Sequence, residues 1–148
     1  MAHNPLTVNG VCNLLSCDVV EQLTHLDLSD FGVGPGTGSR ARQLQVADAM
    51  QECGQLEELD LSRNPLGDWF THVLVGALTQ SAALRRMGLA SVVTTEGAWG
   101  SPDSGAWLGG CVHLDRLDLT GNEWTREGKQ ALRRAWNSVH GEGLLLDA

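Results

Sequence analysis

The sequence predicts an α/β solenoid built from repeated strand–turn–helix units. Four similar blocks, LTHLDLS, LEELDLS, LRRMGLA and LDRLDLT, begin at Leu23, Leu56, Leu84 and Leu114. Each block has apolar residues at its first, fourth and sixth positions, and the alternation from position four to position six is the period of a β-strand. One unit alone cannot bury its apolar faces, whereas stacked units share a continuous core.

Helical patterns follow the strands. Apolar or small residues recur every four positions: Phe70, Leu74 and Leu78 after the second block, and Trp124, Gly128, Leu132 and Trp136 after the fourth. This spacing places one stripe on one face of a helix. It predicts a helix in each unit, the last running from residue 125 to about residue 140. After the first block we expect a helix from about Arg40 to Glu52.

Two of the units depart from this pattern. Asn64 and Asn122 occupy the ninth position of the second and fourth blocks, where Phe31 and Val92 stand in the first and third. Because the Asn side chain normally satisfies backbone groups at the turn, the two turns without it are less certain. A glycine-rich insertion follows Phe31, and a Gly- and Pro-rich segment follows Val92. The conformation of segments 31–39 and 91–107 is left open.

This pattern resembles the ribonuclease-inhibitor-like leucine-rich repeats, a repeat type shared with NOD-like receptors. The match is to the long form LxxLxLxxNxLxxxGxxxLxxxL and covers nearly the whole chain. The resemblance implies a right-handed α/β horseshoe. A parallel sheet of about five strands lines its concave side, and helices and irregular loops form its convex side.

The chain is expected to form one domain over residues 1–148. It comprises a truncated repeat over residues 4–22, repeats that start at residues 23, 56, 84 and 114, and a terminal strand over residues 144–147. The terminal segment LLLDA is a weaker copy of the blocks that begins at Leu144, which places Leu144 at the first block position. The N-terminal strand of the sheet would be an open edge. Two explanations remain. The chain is the C-terminal segment of a longer receptor or scaffold, or it stands alone and a partner or a second copy covers the edge.

Composition and charge narrow the classes of function. The net charge is −8, which argues against nucleic-acid binding, since that function needs a basic face. No apolar run is long enough for a membrane span, and we expect no signal peptide, which favours a cytoplasmic or nuclear location. The four cysteines, Cys12, Cys17, Cys53 and Cys111, lack zinc-site spacing and are expected to be reduced, buried thiols.

We expect no catalytic residues, no cofactor and no metal. The insertion GVGPGTGSR looks like a phosphate-binding loop, but Ser39 and Arg40 follow Gly38 where that motif requires Lys and Ser or Thr. The five histidines occupy unrelated repeat positions, so the repeat places no catalytic triad.

A partner-binding surface is predicted on the concave face, because strand periodicity sends alternate side chains there. Its charged candidates are His25, Asp27, Glu57, Glu58, Asp60, Arg85, Arg86, Asp115, Arg116 and Asp118. Trp99, in the irregular third unit, is a possible loop contact. Asp27 and Asp60 should lie opposite each other and repel slightly, so a basic group on a partner would relieve them. Aspartate is also frequent at this position of the repeat, and the full strands offer no obvious aromatic or aliphatic anchor.

The sequence therefore predicts a non-catalytic protein–protein interaction module that binds through its concave face or its open solenoid edge. The partner would be another protein, and a basic patch on it would suit the acidic strands. The alternative is a structural subunit, or a segment of a larger receptor, scaffold or multiprotein assembly, with possible self-association through the N-terminal edge.

Overall fold

The computed structural model describes residue 10 and residues 13–14, 21–30, 40–78, 81–93 and 113–147. Its strands are β1 (His25–Asp27), β2 (Glu58–Asp60), β3 (Arg86–Gly88), β4 (Arg116–Asp118) and β5 (Leu144–Leu145). Its helices of twelve residues or more are α1 (Arg40–Glu52), α2 (Gly67–Leu78) and α3 (Arg126–Val139). The expected bounds of α1 are confirmed. Helix α3 begins after Thr125, whose hydroxyl accepts a hydrogen bond from the Gly128 amide at 3.1 Å.

The five strands form one parallel sheet in the order β1-β2-β3-β4-β5. Equivalent repeat positions lie side by side, so that Leu26, Leu59, Met87 and Leu117 form one row across β1 to β4. This in-register stacking is the arrangement that the repeated blocks predict. The sheet and the helices together form the expected α/β solenoid.

The core is a single cluster of apolar side chains from the strands and the helices. The helix stripes are confirmed, because the residues named from them are buried: Phe70, Leu74, Leu78, Trp124, Gly128, Leu132 and Trp136. The Trp136 indole N–H donates to the Glu142 carbonyl at 3.0 Å, which joins α3 to the segment before β5. Cys53 is also buried, and burial followed by the charge of Glu52 raises the pKa of its thiol.

Two buried asparagines hold the turns after the strands. The Asn64 amide donates to the carbonyls of Leu28, in the repeat before, and Leu61, in its own repeat, at 2.7 and 2.9 Å. The Asn122 amide donates in the same way to Leu89 and Leu119, at 2.8 and 3.0 Å. Two side chains therefore satisfy the sixth-position carbonyls of all four blocks.

This arrangement explains how the third turn forms without an asparagine. Val92 is fully buried, and its amide donates to Oδ1 of Asn122 at 2.9 Å. Neighbouring asparagines already reach the carbonyls of Leu61 and Leu89. The structure thus answers the question about this turn as far as Val93. Residues 94–107 and 31–39 lie outside the described residues.

The eighth position of every block lies in the left-handed region of backbone conformation. The φ angles are 58° at Asp30, 60° at Arg63, 52° at Ser91 and 70° at Gly121. Val93 also has a positive φ, 58°, which is uncommon for a β-branched residue. A Cβ at Gly121 would also collide with the Ser91 hydroxyl, which would then have to rotate away.

The terminal strand differs from its expected extent. It covers Leu144–Leu145 rather than residues 144–147, and Leu144 pairs with Leu117, the fourth position of its block. The expected register had placed Leu144 at the first position, so the last repeat is three residues shorter than the sequence spacing suggests. Among the described residues, no helix is long and apolar enough to cross a membrane.

Candidate functional site

Side chains of the third and fifth block positions project from one face of the sheet, which we call the concave face. The pairings place His25, Glu58, Arg86 and Arg116 in one row, and Asp27, Asp60, Gly88, Asp118 and Leu145 in another. The structure therefore brings together the third- and fifth-position candidates named from the sequence. The remaining candidates, Glu57, Arg85 and Asp115, immediately precede strands and are exposed.

The three aspartates of the second row also serve the fold. Each carboxylate accepts a hydrogen bond through Oδ1 from the backbone amide two residues later, at 2.9 Å for Asp27, 2.9 Å for Asp60 and 3.0 Å for Asp118. Aspartate closes a turn in this way when the chain leaves a strand. One oxygen of each carboxylate is therefore used locally.

Local contacts also offset the expected repulsion between Asp27 and Asp60. The Ser29 hydroxyl and then the Ser29 amide donate to Asp27 and lower the pKa of its carboxyl below the ordinary 3.8. Burial acts weakly in the opposite direction, and the charge of Arg63 lowers the pKa further. Asp27 is therefore held ionised by its own turn.

The row of third-position side chains changes sign along the sheet. Oε2 of Glu58 lies 3.6 Å from Nε2 of His25 and 3.5 Å from Nη1 of Arg86, so this carboxylate stands between two basic groups. Arg116 follows directly beside Arg86, and it makes no ion pair with a described residue. Arg85 donates to the His113 carbonyl at 3.1 Å.

A groove of about 830 Å³ runs over the concave face from β2 to β5. Its charged lining residues are Glu58, Asp60, Arg86, Asp115, Arg116, Asp118 and Glu142. Five of these are carboxylates and two are guanidinium groups, so the groove is acidic overall. His25, Asp27, Glu57 and Arg85 lie outside its lining.

Gly88 forms part of the groove between Asp60 and Asp118. A Cβ at Gly88 would collide with Oδ1 of Asp60 and lie 2.9 Å from its Cγ and 3.0 Å from the Ser62 hydroxyl. The glycine therefore allows the Asp60 carboxylate to lie over β3. Ser62 is fixed in turn, because its hydroxyl accepts from the Ala90 amide at 3.1 Å.

Comparison with known proteins agrees with this architecture. A family model described as Leucine Rich Repeat matches residues 55–78. Protein NLRC5 of Homo sapiens, a NOD-like receptor, is 35% identical to this chain over 96 residues, which are 62% of this chain and 5% of that protein. Residues 55–78 are therefore a leucine-rich repeat, and the chain has the α/β fold of a leucine-rich-repeat solenoid.

Solved structures resemble this chain over nearly its whole length. The C-terminal domain of tropomodulin from Caenorhabditis elegans gives a TM-score of 0.66 at 14% identity, covering 95% of this chain and 83% of that one. Actin-binding site 2 of leiomodin-1 gives a TM-score of 0.65 at 10% identity, and the match covers 95% of this chain and 77% of that one. Internalin C2 from Listeria monocytogenes gives a TM-score of 0.52 at 12% identity, and the match covers 96% of this chain and 57% of that one. Identities this low show the fold alone.

The structure adds groove residues that the sequence interpretation missed. Glu142 and Leu145 line the groove at its C-terminal end, and Leu145 supplies the aliphatic surface that the full strands lacked. The signal for Leu145 was present in LLLDA, but the register chosen for that segment placed Leu145 away from the fifth position. Gly88 stands at the fifth position of the third block, where the sequence pattern alone indicates no role for it.

Other candidates lie away from the groove or outside the described residues. Trp99 falls in the latter group, as do Cys12, Cys17, Cys111 and most of GVGPGTGSR. Arg40, the last residue of that segment, stacks on half-buried Trp69 with its guanidinium carbon 4.8 Å from the ring centroid. Within the part of the chain that the structure describes, no group of three or more His, Cys, Asp or Glu residues is placed to hold a metal ion.

Proposed function

We propose that this protein is a non-catalytic protein-binding module whose partner docks on the concave face with a basic surface. The observation that carries the proposal is the acidic groove on the concave face, whose third- and fifth-position side chains are exposed or half-buried among the described residues. Asp27, Asp60 and Asp118 each use Oδ1 for a turn, and none forms an ion pair with a described residue. Asp27 is exposed, and Asp60 and Asp118 are half-buried, so a partner could reach all three carboxylates.

The size of the fold is compatible with this role. The similar leiomodin-1 structure is an actin-binding site, so a fold of comparable length can serve as a binding site for another protein. Leu145 adds an apolar contact beside the charged groove, and such contacts supply affinity that exposed ion pairs lack. A cytoplasmic location remains a prediction from the sequence.

A second candidate is a structural role within a larger receptor or assembly. The match to NLRC5 favours it, because the aligned region is only 5% of that protein. Among the described residues, β1 and β5 each pair with a strand on one side only, so docking would use a sheet edge. In that case, neutralising concave carboxylates leaves assembly unchanged.

Matched charge variants test the proposal. One variant carries Asp27→Asn, Asp60→Asn and Asp118→Asn, which keeps the Oδ1 acceptors of the turns and removes three charges. The control carries Asp48→Asn, Glu52→Gln and Glu123→Gln, which removes three exposed charges elsewhere. Affinity capture from the source identifies partners, and isothermal titration with each purified partner gives the dissociation constants.

We expect the concave variant to bind the partner at least about tenfold more weakly, and the control variant to bind as the wild type does. Circular dichroism verifies that both variants fold. Equal affinities for the two variants would contradict a concave interface and favour the sheet edges. Thermal shifts with ATP, Mg²⁺ or Zn²⁺ would contradict the non-catalytic assignment.

A further inference from the structure

We infer that the groove receives an arginine side chain of the partner above Gly88, with its guanidinium between the carboxylates of Asp60 and Asp118. This inference rests on the proposed function and specifies the chemistry of its central contact. It concerns one position of the groove, so it can fail while the concave interface stands.

The charges that line the groove favour a cation at this position. Of the two guanidinium groups that line the groove, Arg86 already lies 3.5 Å from Glu58, and only Arg116 remains without an ion pair to a described residue. On the opposite side, Asp60 and Asp118 have no such partner either. The charge left unmatched at the centre of the groove is therefore negative.

Gly88 determines where this charge is concentrated. Because β3 contributes no side chain at its fifth position, the Asp60 carboxylate extends over β3 toward Asp118. The Ser62 amide holds Oδ1 of Asp60 at 2.9 Å, and the Thr120 amide and hydroxyl hold Oδ1 of Asp118 at 3.0 and 2.8 Å. Both carboxylates are thus oriented before a ligand arrives, which lowers the entropic cost of binding.

A guanidinium fits this spacing better than an ammonium group. Asp60 and Asp118 stand on strands two positions apart, which separates their backbones by about 10 Å. A planar guanidinium presents N–H donors on opposite sides and can reach both carboxylates, whereas an ammonium group is a compact point charge. The aliphatic stem of an arginine can also contact Leu145, which lies beside Asp118 in the same row.

The test is an NMR titration of the whole ¹⁵N-labelled chain with N-acetylarginine amide at constant ionic strength, with N-acetyllysine amide as the comparison. We expect a saturable shift of the Gly88 amide with the arginine compound and a smaller response to the lysine compound. Asp60→Asn and Asp118→Asn should each weaken arginine binding by about threefold. The matched control is Asp48→Asn, which removes one exposed carboxylate on α1, outside the groove lining, and should leave binding unchanged.

Three results would overturn the inference: no saturable shift at Gly88, equal weakening by Asp48→Asn and Asp60→Asn, or equal responses to the two compounds. Its failure is distinguishable from failure of the proposed function. If the triple Asp→Asn variant loses its protein partner while the arginine compound does not bind, the interface stands and the arginine contact is wrong. If the compound binds but partner affinity is unchanged in that variant, the concave interface is wrong.

Discussion

Replacing Asn64 with alanine should destabilise the fold by more than any exposed polar substitution. The Asn64 side chain is fully buried, and its amide donates to the carbonyls of Leu28 and Leu61 at 2.7 and 2.9 Å. Alanine removes both donors and leaves two buried acceptors without them. Each buried polar group that loses its partner costs about 1–2 kcal/mol, so we expect a loss of about 2–4 kcal/mol in the free energy of unfolding. This is a large fraction of the stability of a typical domain.

Equilibrium unfolding in urea, followed by circular dichroism and tryptophan fluorescence, measures this loss. Asn137→Ala is the matched control, because Asn137 is exposed on α3 and its loss should change the free energy of unfolding by less than about 0.5 kcal/mol. Asn122→Ala should give a loss of the same order as Asn64→Ala. A change below about 1 kcal/mol for Asn64→Ala, or one equal to that of Asn137→Ala, would refute the reasoning that these side chains hold the turns.

Three further predictions follow from the turns at the strand ends. Ser29→Ala should raise the pKa of Asp27 toward 3.8, measured by NMR titration of the carboxyl carbon, because it removes the hydroxyl that contributes most to lowering it. A lowered folded-state pKa stabilises the fold above the unfolded-state pKa, and this contribution is lost as pH falls through the folded-state pKa. The free energy of unfolding of the variant should therefore decrease less between neutral pH and about pH 3, and an unchanged pH dependence would count against the contact. Val93→Asn should raise the free energy of unfolding by about 1 kcal/mol, because asparagine tolerates the positive φ of this exposed position better than valine; a loss of stability in urea would contradict this. Gly121→Ala should lower the free energy of unfolding by about 1–3 kcal/mol, because φ at this residue is 70° and a Cβ would meet the Ser91 hydroxyl. A variant that unfolds thermally at the same midpoint temperature as the wild type would contradict this prediction.

The strands and helices were predictable because their patterns are periodic and repeated. Leu56, Leu59 and Leu61 define the same three positions as their equivalents in the other blocks, so register across β1 to β4 follows once the blocks are aligned. Phe70 and Trp136 mark their helix faces through spacing by four. Residue types thus specified both the elements and the side of each element that is buried.

The terminal strand was misaligned for a physical reason. Strand register is read from alternation between apolar and polar residues, and three consecutive leucines at Leu144, Leu145 and Leu146 provide none. All three are half-buried at the end of the sheet, so burial does not separate them sharply either. The Gly143 backbone provides a constraint that the sequence pattern hides, because a Cβ there would collide with the Asp115 carbonyl.

The turn at Val92 shows why residue-by-residue matching to a repeat is too strict. A missing asparagine suggested an uncertain turn, yet the carbonyls at this turn belong to two repeats at once. Asn64 and Asn122 each reach one repeat backwards, so a repeat without its own asparagine is satisfied by its neighbours. Val92 then contributes apolar burial at the same place.

The concave aspartates could be interpreted from the sequence either as a usual feature of the repeat or as a contact surface, and in the structure the first interpretation does not exclude the second. Oδ1 of Asp27, Asp60 and Asp118 closes a turn, while the negative charge is not used by any ion pair among the described residues. A charge reversal to lysine would remove the turn contact together with the charge and confuse folding with binding. Asparagine keeps the acceptor and removes the charge, so it separates the two roles, and only the charge is available to a partner.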